Sequence, residues 1–115
     1  QELRKLPTIY KYEKIIDDLL IDPAPNIERY PCVIPNWDNT PRSGSNGLVF
    51  DGSSPGLFRQ HIQKAIGNTE HLPHDSRLLF IKSWNEWAEG NHLEPDLRFG
   101  HGYLEALNDA LNSHE

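Results

Sequence analysis

The 115 residues contain a single cysteine, Cys32, so no internal disulfide can form and the chain does not depend on an oxidising compartment. Nothing around Cys32 marks a nucleophile, and it reads as a small buried thiol. Long apolar runs are missing as well. No window approaches the roughly 18 residues of a membrane span, although an apolar content of 37% is adequate for a core. Concentrated positive charge is scarce. The formal charge is −6 and the longest basic run is Arg4-Lys5, whereas a phosphate backbone demands clustered Lys and Arg, so a nucleic-acid partner is not expected. The histidines His61, His71, His74, His92, His101 and His114 have no metal-like spacing and no cysteine partner, so neither a metal nor a cofactor is expected. No signal peptide is visible. The chain opens on Gln1, which reads as a cut end and leaves targeting open. At this length one domain, or a piece of one, is the ceiling.

What is present alternates between helical and strand-like stretches. Tyr12, Ile15, Ile16, Leu19 and Leu20 recur at helical spacing and predict a helix over Tyr10–Asp22, stopped at Pro23, with Asp22–Asn26 as a linker. "RYPCVIP" predicts a short buried strand bounded by Pro31 and Pro35. Asn36–Gly47 carries every turn signal and reads as loop. In "SPGLFRQHIQKAIGN", Ser54 is a candidate N-cap, Pro55 suits the first helical position and Gly67 ends the helix. "RLLFIKSW" predicts a second strand, and "GHGYLEALNDALNS" a last helix. Alternating strands and helices predict an α/β fold with a parallel sheet. Both strands are continuous apolar runs, as expected where both faces are covered. Each strand is followed by a long polar loop, and α/β folds place their sites at the carboxyl ends of strands.

The richer of those loops is "SWNEWAEGNHLEPD", Ser83 to Asp96. It holds three glutamates, an aspartate, two tryptophans, two asparagines and a histidine in fourteen residues. Glu86 and Glu89 share a face if the chain turns helically there. Paired carboxylates suit acid–base work on a glycosidic bond. Trp37, Trp84 and Trp87 offer flat faces for sugar rings, and Asn36, Asn85 and His92 offer neutral hydrogen-bonding groups. Spacing alone fits a solvated acidic loop with tryptophans at a core edge at least as well. Likewise Glu94-Pro95-Asp96 fits a cap for the last helix, and Asp38 with Arg42 fits either a local ion pair or a substrate contact.

"YPCVIPNWDNTPR" followed by "WNEWAEGNHLEPDLRFGHGYLEAL" resembles the WbsX-like proteins of bacterial polysaccharide biosynthesis, which are related to glycoside hydrolase family 99. The resemblance runs from "IYKYEKII" to the last helix. It implies the C-terminal βα units of a (β/α)8 barrel, residues 1–115 being the end of one such domain; a whole barrel needs about 250 residues. It implies a carbohydrate-active enzyme, hydrolysing or transferring glycosyl units on a lipopolysaccharide or O-antigen type of polysaccharide, with the bacterial cytoplasm as the favoured compartment. Glu86 and Glu89 match the catalytic glutamates of the family's N-E-W-x-E-G. The first would act as base on the sugar 2-hydroxyl, giving a 1,2-anhydro intermediate; the second would act as acid to the leaving group and then as base to water. Ala88 stands where the mannosidases usually carry His. The expected substrate-binding residues are Trp37, Asp38, Trp84, Asn85, Trp87, His92 and Glu94. The alternative is a carbohydrate-binding or scaffold protein without turnover. Two strands with open edges also predict that the isolated chain either self-associates or is unusually dynamic, with apolar surface left on Val33, Ile34, Leu79 and Ile81, and that it has no glycosidase activity by itself.

Overall fold

A computed structural model describes residues 5–20 and 29–113. The linker expected at Asp22–Asn26, together with Arg4, Ile21 and His114, lies outside the described residues. The first element departs from expectation. Thr8–Lys11 is a strand, β1, and only Tyr12–Asp18 is helical, α1. The β-branched and aromatic residues of "TIY" favour an extended backbone, and they find a partner far along the chain.

Cys32–Val33 forms β2, much shorter than its apolar run, with prolines on both sides as expected. The stretch read as loop is structured. Trp37–Asp38 is β3, Thr40–Ser43 is a single helical turn, α2, and Gly44–Asn46 is a 3-10 turn. Leu48–Asp51 is β4, an element the sequence reading passed over. It pairs in parallel with β1, Thr8 opposite Leu48 through Lys11 opposite Asp51, and antiparallel with β3, Trp37 opposite Phe50.

Pro55–Gly67 is α3, as predicted, and the Ser54 side chain accepts the Leu57 amide as its cap. Phe80–Ile81 is β5, parallel to β2 with Cys32 opposite Phe80 and Val33 opposite Ile81. Asn85–Glu86 and Asn91–His92 are β6 and β7, an antiparallel pair joined through a 3-10 turn at Trp87–Glu89. Gly102–Asn112 is α4. The architecture is mixed α/β with two parallel strand pairs.

The core lies between α3 and α4, which pack Phe58, Ile62 and Ala65 against Tyr103, Ala106 and Ala110, with Val33 and Leu93 at the floor. The small residues Ala106 and Ala110, four apart, share one face of α4. At the start of α4 a Cβ on Gly102 would come within 2.7 Å of Pro55 Cγ, so a side chain there would force the two helix beginnings apart. Val33 is therefore fully buried rather than exposed, because α3 and α4 cover it. Ile34, Leu79 and Ile81 are half-buried. Around β5 the open apolar side chains are Leu78 and Phe80, and Cys32 is exposed rather than buried, so the β2–β5 pair is covered on one face only.

Two buried polar side chains secure β2 from the helix side. The Tyr12 hydroxyl donates to the Ile34 carbonyl at 2.7 Å, and His61 Nε2 accepts the Ile34 amide at 3.2 Å. The Tyr12 and His61 rings meet edge to face at 6.3 Å. Both backbone groups of Ile34 are thus satisfied by side chains rather than by another strand.

Candidate active site

The motif Ser83–Asp96 folds as a small hairpin directly after β5. Its tight turn depends on Gly90, which has φ +58 and whose Cβ would stand 2.6 Å from the Asp38 carbonyl oxygen. Only glycine combines the left-handed backbone with that approach. The turn bearing Glu89 is thereby pressed onto β3, next to α2.

A buried amide network holds the hairpin in place. Asn91 is fully buried; its Nδ2 donates to the carbonyls of Asn36, at 2.7 Å, and Lys82, at 2.8 Å. Its Oδ1 accepts from Ser83 Oγ at 2.8 Å. Asn36 answers across the gap, accepting the His92 amide at 2.8 Å and donating to the His92 carbonyl at 3.2 Å. These bonds tie the segment after β2, the end of β5 and β7 into one unit. Asn91 carried no sequence signal, because its partners at residue 36 are brought beside it only by the fold.

Glu86 lies half-buried on β6, its amide donating to Ser83 Oγ at 3.3 Å. Glu89, in the 3-10 turn, faces two cations. Arg42 Nη1 of α2 stands 3.9 Å from Oε1, and Lys82 Nζ stands 3.8 Å from Oε2. The Lys82 ammonium also lies over the Trp37 ring, 5.5 Å from its centroid, so Trp37 sits one side chain away from Glu89. Of the two readings open for Asp38 and Arg42, the local ion pair does not form. Asp38 Oδ1 instead accepts from the amide and hydroxyl of Thr40, at 2.9 and 2.6 Å, because it begins the α2 turn.

Trp87 is held on one face and at its nitrogen. Its indole stacks on His92 at 3.7 Å and 15°, and Nε1 donates to Glu94 Oε1 at 2.9 Å. His92 Nε2 bonds Asp96 Oδ2 at 3.1 Å, and Asp96 Oδ1 accepts the Phe99 amide at 2.6 Å. Burial works to raise the Asp96 carboxyl, but the Phe99 amide and the His92 ring outweigh it and hold it below the ordinary carboxylate range. The expected helix cap at Glu94–Asp96 is replaced by these roles: Asp96 closes the 96–100 turn, and Glu94 fixes Trp87. Trp84 and Asn85 are exposed. The Trp84 carbonyl accepts the Leu93 and Glu94 amides, at 2.9 and 3.2 Å.

A cleft of about 280 Å³ opens beside the hairpin, lined among others by Trp37, Asp38, Asp51, Gly90, His92, Asp96 and Tyr103. An apolar recess of about 650 Å³ lies beside Trp87, Pro95 and Leu97. Glu86 and Glu89 line neither. Of the residues singled out from the sequence, Trp37, Asp38 and His92 therefore share the cleft, Trp87 borders the recess, and Glu89 joins Lys82 and Arg42 outside both. Among the described residues no three His, Cys, Asp or Glu side chains gather as a metal site requires, and no helix is long and apolar enough to cross a membrane.

Over residues 1–107 the chain matches the family described as Glycosyltransferase WbsX. It is 35% identical over 104 residues to the uncharacterized protein WxcX of Xanthomonas campestris pv. campestris strain B100, and to the same degree to the protein of that name from a second strain. Each match takes in 90% of this chain, which spans 15% of the length of either relative. No solved structure matches the chain.

Proposed function

Because the chain belongs to the Glycosyltransferase WbsX family, we propose that it carries the acid–base site of an enzyme that cleaves or transfers glycosyl units on a bacterial polysaccharide. Glu86 and Glu89 are the working pair. The observation that carries this reading is the placing of Glu89: a glycine-pressed turn between β6 and β7 sets its carboxylate near two cations from separate segments. The close approach of Gly90 to Asp38 fixes the turn that carries Glu89, and proton transfer needs a group held in a fixed position. Glu86, three residues earlier on the same hairpin, supplies the second carboxyl group. Trp87, immobilised by His92 and Glu94, offers its other indole face as a platform for a sugar ring, since a rigid aromatic gives contact area at little entropic cost.

The barrel reading, in which the hairpin would sit at the carboxyl mouth of the strands, is supported by the parallel β2–β5 pair with α3 packed over it. In that setting the exposed Leu78 and Phe80 meet further strands and helices.

The test uses a polypeptide of the relatives' length and glycan from the producing bacterium, with products identified by mass spectrometry. Glu86→Gln and Glu89→Gln should each lower kcat by on the order of 10²-fold or more, with circular dichroism unchanged. Normal turnover in both variants would remove the assigned roles. Tight glycan binding without any turnover in the unaltered protein would favour a binding module.

A further inference from the structure

The cleft beside the hairpin is walled by rings. Trp37 lies opposite Phe50 across β3 and β4, and Phe99 meets Tyr103 edge to face at 5.6 Å. A volume of about 280 Å³ is at the small end of ligand pockets, so the cleft admits one ring rather than a chain of them. The β3–β4 register also brings acids to it. Asp38 lies opposite Val49, and Asp51, two residues further along β4, stands on the same face of the sheet. Asp96 reaches the cleft from the 96–100 turn.

Apart from Arg98, the side chains of this lining have few donors to spare. Ser53 donates to the Pro35 carbonyl, and the Tyr103 hydroxyl, 2.8 Å from Ser53 Oγ, is left to donate to it. Asn36 Nδ2 donates to the His92 carbonyl, and Trp37 Nε1 is sealed from solvent. Acceptors are plentiful. Among the described residues the Asp51 side chain has no hydrogen-bond or ion-pair partner, not even Lys11 opposite it on β1. Asp38 takes both of its bonds on Oδ1, leaving Oδ2 open. The charge of the lining leans the same way. Three carboxylates stand against the one guanidinium of Arg98, and a proton on His92 would still leave them in excess. Beyond the lining, Arg42, Lys82, Glu86 and Glu89 add two charges of each sign.

We propose that this cleft binds one uncharged glycosyl unit through its hydroxyl groups and rejects acidic sugars, with Asp51 as the residue that sets the discrimination. That the ligand is a glycosyl unit rests on the family reading above; that it carries no negative charge stands on the cleft. Sugar hydroxyls bring the donors that Asp38 and Asp51 lack, and the C–H faces of the ring find the aromatic walls. A carboxylate on the sugar would add acceptors and negative charge to a lining that has both in excess. Like charge built against the wrong ligand is a source of specificity in its own right.

The experiment is a ligand-observed NMR titration of a polypeptide of the relatives' length at constant ionic strength. The probes are the methyl glycosides of glucose, galactose and mannose, each beside its matching methyl uronide. At least one neutral glycoside should bind saturably, and its uronide on the order of tenfold more weakly or worse. Asp51→Asn should narrow that ratio by about threefold or more, and Asp51→Lys should narrow it further. The side chain is exposed, so circular dichroism should be unchanged in both variants. Absence of saturable binding by all three neutral glycosides overturns the site. A uronide that binds within about twofold of its neutral counterpart, or a ratio unmoved in either Asp51 variant, overturns the selectivity. No turnover is read in this titration, so it stands apart from the kinetic test of Glu86 and Glu89.

Discussion

Lowering the pH should loosen this fold through His61. The ring is fully buried, and its Nε2 must be unprotonated to accept the Ile34 amide. Burial pulls its pKa from the ordinary 6.5 down to about 4, with Asp17 working to raise it and Lys64 to lower it. An unfolded chain takes up a proton near pH 6.5 that the folded chain refuses until about pH 4. His61 thus contributes stability that is complete above pH 6.5 and lost as the pH falls through the window down to about 4. At about 1.4 kcal/mol per pH unit across that window the loss reaches about 3 kcal/mol, and relaxation around a charged ring would trim it to about 2. Small domains hold only about 5–15 kcal/mol in all. Urea unfolding at pH 7.5, 6.5, 5.5 and 4.5 reads the effect directly. His61→Gln, which keeps an acceptor near Ile34 but does not titrate, should show a flatter stability profile between pH 6.5 and 4.5. Parallel profiles for the two proteins, or an NMR titration of His61 centred near 6.5, would refute the reasoning.

Other perturbations test the scaffold of the site. Gly90→Ala combines a left-handed backbone with a clash on Asp38, and should cost more than about 1 kcal/mol in urea unfolding; an unchanged midpoint would mean the turn is not pressed onto β3. Asn91→Ala strips the buried partners of Ser83, Lys82 and Asn36 and should cost about 2–4 kcal/mol. A cost below about 0.5 kcal/mol would show that the network does not hold the hairpin. Asp96→Asn should free His92 and broaden the Trp87 indole resonance, and a sharp, unmoved signal would count against the Asp96–His92–Trp87 array. The open Leu78 and Phe80 should drive concentration-dependent self-association in sedimentation velocity. A monodisperse monomer with strongly protected β2 and β5 amides would make the chain an autonomous domain and remove the barrel proposal.

Local order in the sequence was enough for α3 and α4. Their apolar periodicity, the Ser54 cap, Pro55 and the Gly67 end lie within one segment each, and helix formation needs little else. The parallel approach of the apolar runs around Val33 and Ile81 was legible too, though not how short the paired part is. The strands β1, β3 and β4 escaped because they are short and, unlike β2 and β5, do not lie in a continuous apolar run long enough to stand out between turn signals. Such segments are extended only because a distant partner completes their backbone hydrogen bonds, and no local pattern encodes that partner. For the same reason the period of Tyr10–Leu20 was read as wholly helical, when its first residues belong to a strand.

The candidate site divides in the same way. The sequence by itself set which chemical groups are available: two carboxyls three apart, indoles beside them, and a glycine where the turn must close. Only the tertiary structure decided their partners. It turned Arg42 from Asp38 to Glu89, gave Asp96 to His92 rather than to the last helix, and buried Asn91 against a backbone carbonyl fifty-five residues away. Side-chain identity is a covalent fact fixed at each position. Charge pairing and burial depend on distances through space, and those exist only once α3 and α4 have closed over β2 and drawn residues 36, 82 and 91 together.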